Sequence, residues 1–332
     1  MQLLSNTSRY EDLANQSIEN DGINTDNIRW IIEDKSVELL PLLHCAYKVK
    51  YKYFQNKIRI HILNNVQSGN CSEDCKYCAQ SHTNDLAKKY PMKTDEEILK
   101  EAEAAYRAGA YRHCMVFSGR DIGKNRIEKI SNVVKKIKEK YKNMDICISA
   151  GFLNEEDAIK LVKSGVNRYN HNINTSKNHY GKICTTHDYQ KRIDTINTAS
   201  KNGLEICSGI IIGMGESSDD IVQIIDTLKK VKADSIPVNF FIPIPGHTIE
   251  NIQTLTPEYC LKILACFRLA FPQAEIRIAA GREYHLRSMQ SLSLYAVNSL
   301  FARGYLTTDG DDVEKTKNMI LDAGFVLDRI EY

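Results

Sequence analysis

The chain has 332 residues, 42% of them apolar and 26% charged, with a formal charge of +2. That is the balance of a water-soluble globular protein, and a near-neutral charge argues against a nucleic-acid or membrane-surface partner. No apolar run is long enough to span a bilayer, and the opening "MQLLSNTSRYEDLANQ" lacks the basic-then-apolar pattern of a secretory signal.

Residues 1–56 read as a polar helical extension, in which "SVELLPLLHCAYKVKYKYF" is the amphipathic piece that docks on a main body formed by 57–332. Short β-branched runs follow at "KIRIHIL" (57–63), "RHCMVFS" (112–118), "DICISAG" (145–151) and "NRYNHNI" (167–173). They continue with "EICSGIIIG" (205–213), "SIPVNFF" (235–241), "EIRIAAG" (275–281) and "LYAVNSLF" (294–301). Helical stretches such as "DEEILKEAEAAYRAGA" and "DDIVQIIDTLKKVKA" separate them. The lysine-rich "VVKKIKEKYK" (133–142) mixes in glutamate at helical spacing, as a solvated face does. Eight strands alternating with helices, without a composition break, predict one α/β chain closed as a (β/α)₈ barrel; an open doubly wound sheet is the competing arrangement.

Ten cysteines in a chain without a signal read as thiols or metal ligands in a reducing cytoplasm. Three fall in "SGNCSEDCKYCAQS", just after the first strand and so at the rim where barrels keep their chemistry. Cys71, Cys75 and Cys78 are spaced C-x₃-C-x₂-C, with no fourth ligand close behind. Three thiolates can hold three irons of a cubane and leave one iron open, the mark of a catalytic centre. Zinc completed by a remote residue such as His113 or His171 is the other reading.

Side chains alternate across a strand, so facing residues follow from parity. Cys114, Val116 and Ser118 share one face. So do Cys147 and Ser149; Cys207, Gly209, Ile211 and Gly213; and Arg277, Ala279 and Gly281. Barrel interiors are normally filled with bulky branched residues. These faces instead carry a cysteine or an arginine followed mostly by small residues, which predicts a cavity floor. A buried arginine needs an anion, and thiolates or an iron–sulfur cluster would supply it; cysteine as a small core hydrophobe is the bland alternative. Cys45, Cys184, Cys260 and Cys266 fit no ligand spacing and read as structural or incidental.

The C-x₃-C-x₂-C loop, with Tyr77 before its last cysteine, resembles the radical S-adenosylmethionine (SAM) enzymes. The resemblance implies a [4Fe-4S] cluster whose open iron binds SAM and cleaves it to a 5′-deoxyadenosyl radical. "GIIIGMGE" (209–216) is similar to that superfamily's adenine-lining strand, with Gly209, Ile211 and Gly213 at the cofactor. Together with "RYNHNINTS", "SIPVNFFIPIPG", "IRIAAGRE", "LRSMQSLSLYAVNSLF" and "YLTT", the motifs resemble the biotin synthase family, in order, from about residue 36 onward. That family inserts sulfur into dethiobiotin. The resemblance implies Cys71, Cys75 and Cys78 on the [4Fe-4S] cluster, and Cys114, Cys147, Cys207 and Arg277 on a [2Fe-2S] cluster that donates the sulfur. It places Asn170, Asn172 and Arg192 near SAM; Asn172, Asn174 and Asn239 at the ureido ring and ribose; and Thr307 and Thr308 at the carboxylate tail. Amides suit a neutral cyclic urea because they donate and accept without changing protonation.

One departure is Asn174, where many relatives carry aspartate; it predicts weaker polarisation of a ribose hydroxyl without loss of activity. The resemblance also implies a flavodoxin or ferredoxin electron donor, the Fe-S assembly machinery as a partner, and a homodimer. Another radical SAM barrel with an auxiliary cluster, or a non-catalytic iron–sulfur or zinc protein, are the readings that compete.

Overall fold

The protein is described by a computed structural model covering residues 2–84, 86–245, 247–306 and 310–328. Three helices come first: α1 (Gln2–Glu19), α2 (Thr25–Glu33) and α3 (Leu39–Phe54). Asn24 starts α2 by accepting from the Asn27 backbone N–H, one of the donors a helix start leaves unpaired. The apolar face of α3 buries Leu42, Leu43, Cys45, Ala46 and Val49.

The barrel staves follow as β1 (Lys57–Gln67), β2 (Arg112–Phe117), β3 (Asp145–Ser149), β4 (Arg168–Asn170), β5 (Glu205–Cys207), β6 (Ile210–Ile212), β7 (Ser235–Phe240), β8 (Glu275–Ile278) and β9 (Ser299–Ala302). Each pairs in parallel with the next, β5 and β6 acting as two halves of one stave along β7. Pairing of Arg59 with Ser299 through Ile62 with Ala302 joins β9 back to β1 and closes the ring. Eight staves in a closed parallel barrel match the predicted fold class. A short β10 (Val326–Leu327) hooks onto the start of β1 outside the ring.

Three expected strands differ in detail. "NRYNHNI" is strand only over Arg168–Asn170, and Asn172 and Asn174 lie beyond its end. "EICSGIIIG" breaks at Ser208 and Gly209, because the Gly209 carbonyl turns to accept the Asn174 N–H beyond the end of β4. In "LYAVNSLF" only the end is strand. Its first residues finish a 3₁₀ segment, Arg287–Tyr295, and bury Leu294, Ala296 and Val297 outside the ring.

Several helices between the staves are closed by side-chain or glycine caps. Thr94 and Glu97 form a capping box at the start of α4 (Asp95–Arg107), and Gly165 adopts the left-handed conformation that ends a later helix, Glu155–Ser164. The helix Pro257–Ala270, "PEYCLKILACFRLA", is buried along almost its whole length because α1, α2 and α3 cover its outer side. Cys45, Cys260 and Cys266 therefore sit in the core, as small hydrophobes do. Arg268 from the same helix is wholly buried and donates to the carbonyls of Phe271, Pro272, Ala274 and Ala296 and to Asn298 Oδ1.

Lys50 of α3 is the misfit in this layer. Its ammonium is buried with no hydrogen-bond partner, 4.0 Å above the Phe325 ring, and burial pushes it down to about 6. The unfolded chain holds that proton more tightly, so its contribution to stability rises with pH from about 6 toward the ordinary lysine value. Lys50→Met should therefore be more stable than the native chain by roughly 1–3 kcal/mol at pH 7. Chemical denaturation at pH 7 and pH 10 should show that gap narrowing as pH rises; a gap independent of pH would mean Lys50 is not folded in its neutral form.

Candidate active site

The loop after β1 is tied down from several directions. The Gly69 N–H donates to Gln80 Oε1 (2.9 Å), and Ser118 Oγ, at the end of β2, donates to the Gly69 carbonyl (2.6 Å). Lys76 N–H reaches the Ile183 carbonyl (3.0 Å), and Asn174 Nδ2 donates to the Tyr77 hydroxyl (2.7 Å). Asp74 accepts the N–H groups of Thr185 (2.9 Å) and Thr186 (3.2 Å), and these bonds outweigh the opposing effect of burial to hold its carboxyl far below the usual range. The loop is thus fixed to the segment after the short helix Lys177–Ile183 before any ligand is considered.

Cys71, Cys75 and Cys78 all face one cavity of about 310 Å³ at the open end of the barrel. All ten cysteines are free thiols. Among the described residues, the one group of such side chains whose ligand atoms lie close enough to share a single ion is Cys75, Cys184 and His187. The three loop cysteines are not such a group. That spacing suits a cluster in which each thiolate takes its own iron better than a mononuclear site. His113 is buried with both ring nitrogens unpartnered and His171 lines the cavity, but neither joins the loop thiols in such a group.

Of the two readings the sequence left for Cys184, structural or incidental, the contacts fit the first: its sulfur lies 3.7 Å from Cys75 Sγ, 3.3 Å from Asp74 Oδ1 and 3.4 Å from His187 Nδ1. The hydrogen bond from Cys75, followed by that with His187, holds its thiol below the usual value despite burial. His187 Nδ1 in turn meets Glu73 Oε2 at 2.5 Å, while its Nε2 faces Arg192 Nη2 (3.0 Å) and the Tyr180 hydroxyl (2.8 Å). Burial alone would raise Glu73, but bonds from Thr186, His187 and Ser72 leave it below the usual carboxylate range. Arg192 is therefore the hub of this wall, and its Nη1 also donates to the Asn172 carbonyl (3.0 Å).

The four asparagines converge from two places, the end of β4 with the segment beyond it and β7. Asn170, Asn172, Asn174 and Asn239 all line the same cavity, as do Tyr77, Arg192 and Ile211. Each already holds backbone or a neighbour. Asn172 Oδ1 accepts the Gly209 N–H (2.8 Å), Asn170 donates to Ser149 (3.2 Å), and Asn239 bridges the Ile210 carbonyl (2.8 Å) and the Ala280 N–H (3.1 Å). Asn174 sits at φ 67°, a left-handed conformation that Asn and Asp tolerate. In "GIIIGMGE", the N–H groups of Gly213 (2.7 Å) and Met214 (2.8 Å) point at the buried Glu216 carboxylate, which burial pushes up to about 7. Thr307 and Thr308 lie outside the described residues.

One layer deeper, Cys114, Cys147 and Cys207 pack together with Ala279 and Phe301, as strand parity predicts. They are not the cavity floor, however. Tyr305 packs against this thiol layer and also lines the cavity above it, so the thiols are buried beneath a phenol ring. Arg277 reaches Cys207 with Nη1 at 3.8 Å, and its Nε is buried without any partner. A buried guanidinium edge left unpaired beside three thiols is what an anionic group bound there would satisfy. The hydrogen bond with Cys147, followed by Arg277, holds the Cys114 thiol below its usual value despite burial.

Comparison with known proteins decides between the competing readings. The Radical SAM superfamily matches residues 66–228, and the Biotin and Thiamin Synthesis associated domain matches 237–326. Biotin synthase from Magnetococcus marinus is 50% identical over 91% of this chain and 94% of its own length. The chain belongs to the biotin synthase family. Biotin synthases from Leptospira interrogans (51% identical, 87% of this chain, 83% of that one) and Macrococcus caseolyticus (42%, 95% and 96%) agree. Among solved structures, methylornithine synthase superimposes with a TM-score of 0.85 at 20% identity, covering 96% of this chain and 97% of that one. The FeFe-hydrogenase maturase from Carboxydothermus hydrogenoformans follows at 0.80 and 17%, covering 98% and 84%. These two share the fold. As a member of the biotin synthase family the protein is a radical SAM enzyme, with a [4Fe-4S] cluster and SAM, and a [2Fe-2S] cluster.

Sequence reasoning missed Glu73, Cys184, His187 and Tyr305. A second cysteine-and-histidine motif, "CTTH" (184–187), was the one available signal for Cys184 and His187, and Glu73 lies inside the cluster loop itself. Gly209 gives a direct check on the predicted adenine-lining strand. A Cβ there would stand 2.4 Å from the Pro237 carbonyl oxygen, a backbone atom with no room to retreat. Gly209→Ala should cost roughly 1–3 kcal/mol in thermal unfolding, with weaker SAM binding by calorimetry; unchanged stability would mean β6 can move off β7.

Proposed function

We propose that this protein makes biotin by inserting sulfur into dethiobiotin, using two cysteine sets stacked at different depths of one barrel. The observation that carries this reading is the layering itself. Cys71, Cys75 and Cys78 stand at the cavity wall, the four asparagines line its middle, and Cys114, Cys147 and Cys207 with Arg277 lie beneath.

Cys71, Cys75 and Cys78 would hold the [4Fe-4S] cluster, and Cys114, Cys147, Cys207 and Arg277 the [2Fe-2S] cluster. When bound, SAM and its cluster supply a carbon radical able to take hydrogen from saturated carbon, and the deeper cluster supplies sulfur. Saturated carbon offers no acidic or basic handle, so the side chains serve instead to place the substrate and keep solvent away. Asn172, Asn174 and Asn239 carry amides whose remaining N–H groups and lone pairs suit a cyclic urea and ribose hydroxyls. Arg192, held by Tyr180 and His187, fixes the strand that carries Asn172. Asn174 donates to Tyr77, so an amide at this position ties the cluster loop to the fourth stave. Thr307 and Thr308, outside the described residues, would meet the carboxylate tail, as the family resemblance implies.

A flavodoxin or ferredoxin electron donor, loading by the iron–sulfur assembly machinery and a homodimer complete the reading. No helix among the described residues is long and apolar enough to cross a membrane. Ten free thiols suit a reducing cytoplasm.

The test is anaerobic turnover of the reconstituted protein with SAM, reductant and dethiobiotin, following biotin and 5′-deoxyadenosine by mass spectrometry. Both products should form. Cys147→Ala should keep deoxyadenosine and lose biotin by a hundredfold or more, whereas Cys75→Ala should lose both. Deoxyadenosine without biotin in the native enzyme would overturn the substrate assignment. Biotin formation by Cys147→Ala would overturn the role of the deeper thiols.

A further inference from the structure

Beneath the thiol layer lies a carboxylate that neither the superfamily motif nor the thiol ligands account for. Glu275 opens β8 and is fully enclosed by the barrel, with 3% of its surface exposed. Its Oε1 accepts from Ser299 Oγ (2.9 Å) and Ser235 Oγ (3.2 Å), lies 3.2 Å from His61 Nε2, and binds Arg277 Nη2. Its Oε2 meets Arg168 Nη1 at 3.1 Å, and Arg59 Nη1 stands 3.8 Å away. Among the described residues, Glu275 is the one carboxylate paired with Arg277.

This arrangement decides which edge of Arg277 is free. Glu275 and Ser235 (2.8 Å) take Nη2. The Phe301 ring lies 5.1 Å from the guanidinium carbon, which limits tilting of the plane. Of the rest, Nη1 lies 3.8 Å from Cys207 Sγ in the thiol layer and Nε has no partner. A guanidinium is a rigid planar fork on a long, freely rotating stem, so clamping one edge aims the other.

We propose that Glu275 is a positioning residue for the deeper cluster: it holds Arg277 edge-on to Cys114, Cys147 and Cys207 and sets the charge beneath them. The inference rests on the reading of Arg277 as part of the [2Fe-2S] site. Glu275 does not touch the cluster or the substrate; it acts through Arg277 and through its own negative charge. That charge opposes adding an electron nearby, so Glu275 lowers the reduction potential of whatever Arg277 holds.

The experiment uses anaerobically reconstituted native protein, Glu275→Gln and Glu275→Asp. Iron and sulfide content, the Mössbauer spectrum and redox titration are read for both clusters, the SAM-site cluster serving as internal control. Glu275→Gln should leave the SAM-site cluster unchanged. It should alter the two-iron doublets of the deeper cluster and shift its potential upward, and Glu275→Asp should restore both in part. A deeper cluster with native spectrum and native potential in Glu275→Gln would overturn the inference, even if the melting temperature falls, because packing alone would then be its role. Native protein that loads the SAM-site cluster alone would overturn the reading of the deeper site itself, and this inference with it. If Glu275→Gln does not fold, Ser299→Ala loosens the carboxylate's seat and should move the same readouts in the same direction by a smaller amount; native values there would again count against Glu275.

Discussion

Ionised groups inside a closed parallel barrel need partners of opposite charge, and that constraint shapes the interior of this protein. Most barrels avoid the problem by filling the ring with branched apolar side chains. Here the layer at the start of the staves holds Arg59, Arg112, Arg168 and Arg277, balanced by Glu275 inside and by Asp145, Glu205 and Asp328 nearer the solvent. Glu275 is the one wholly buried acid of the set, and Arg277 above all, with Arg168 and Arg112, keeps its carboxyl ionised against the large opposing effect of burial. His61 responds in the opposite sense. Burial, followed by the nearby Arg277, holds its imidazole neutral. The result is a rigid polar base with one guanidinium edge left over, and the thiol layer rests on that edge.

Depth then separates the chemistry. The base is all ion pairs, the next layer is thiols under Tyr305, and the cavity above is lined by amides, aromatic rings and the cluster loop. Amides at mid-depth fit the demand that this zone be polar yet carry no charge of its own. A carboxylate there would face burial beside two arginines already in use, Arg192 with Tyr180, His187 and the Asn172 carbonyl, and Arg120 with Glu73 at 3.8 Å. Asn174 fits the same logic, since its amide donates to Tyr77 where a carboxylate would have to accept from it. Asparagine in place of aspartate at this position therefore reverses a hydrogen bond and leaves the contact in place.

Much of this was legible in the sequence, for a specific reason: strands alternate strictly, so Cys114, Cys147, Cys207 and Arg277 had to share the interior once eight staves were recognised. The C-x₃-C-x₂-C loop was legible because its ligands are neighbours in the chain. What parity could not give was the depth of the cavity. It placed the thiols at the floor, but Tyr305 arrives from beyond the last stave and covers them. Nor could it give Glu275 its role, because the groups that define it come from β1, β4, β7, β8 and β9 at once. The contacts of Cys184 were hidden for the same reason. Its neighbours Asp74 and Cys75 lie more than a hundred residues away in the chain, and no local spacing announces them.

The wall around Cys184 also has a consequence for how the cluster loop behaves when it holds no metal. A loop carrying three thiolates and little apolar surface has little to hold it together by itself. Here Asp74 caps the N–H groups of Thr185 and Thr186, Glu73 binds Thr186 and His187, and Lys76 reaches the Ile183 carbonyl, so the loop is held by bonds its ligands do not make. Those bonds join two segments that both lie at the cavity mouth, and Arg192 carries the same network on to Asn172. The segment that presents the thiols and the strand end that presents the amides are thus set relative to each other by protein groups alone. A radical generated at one and a substrate held at the other need a fixed separation. The Asp74, Glu73 and Arg192 contacts supply it before any cofactor is present.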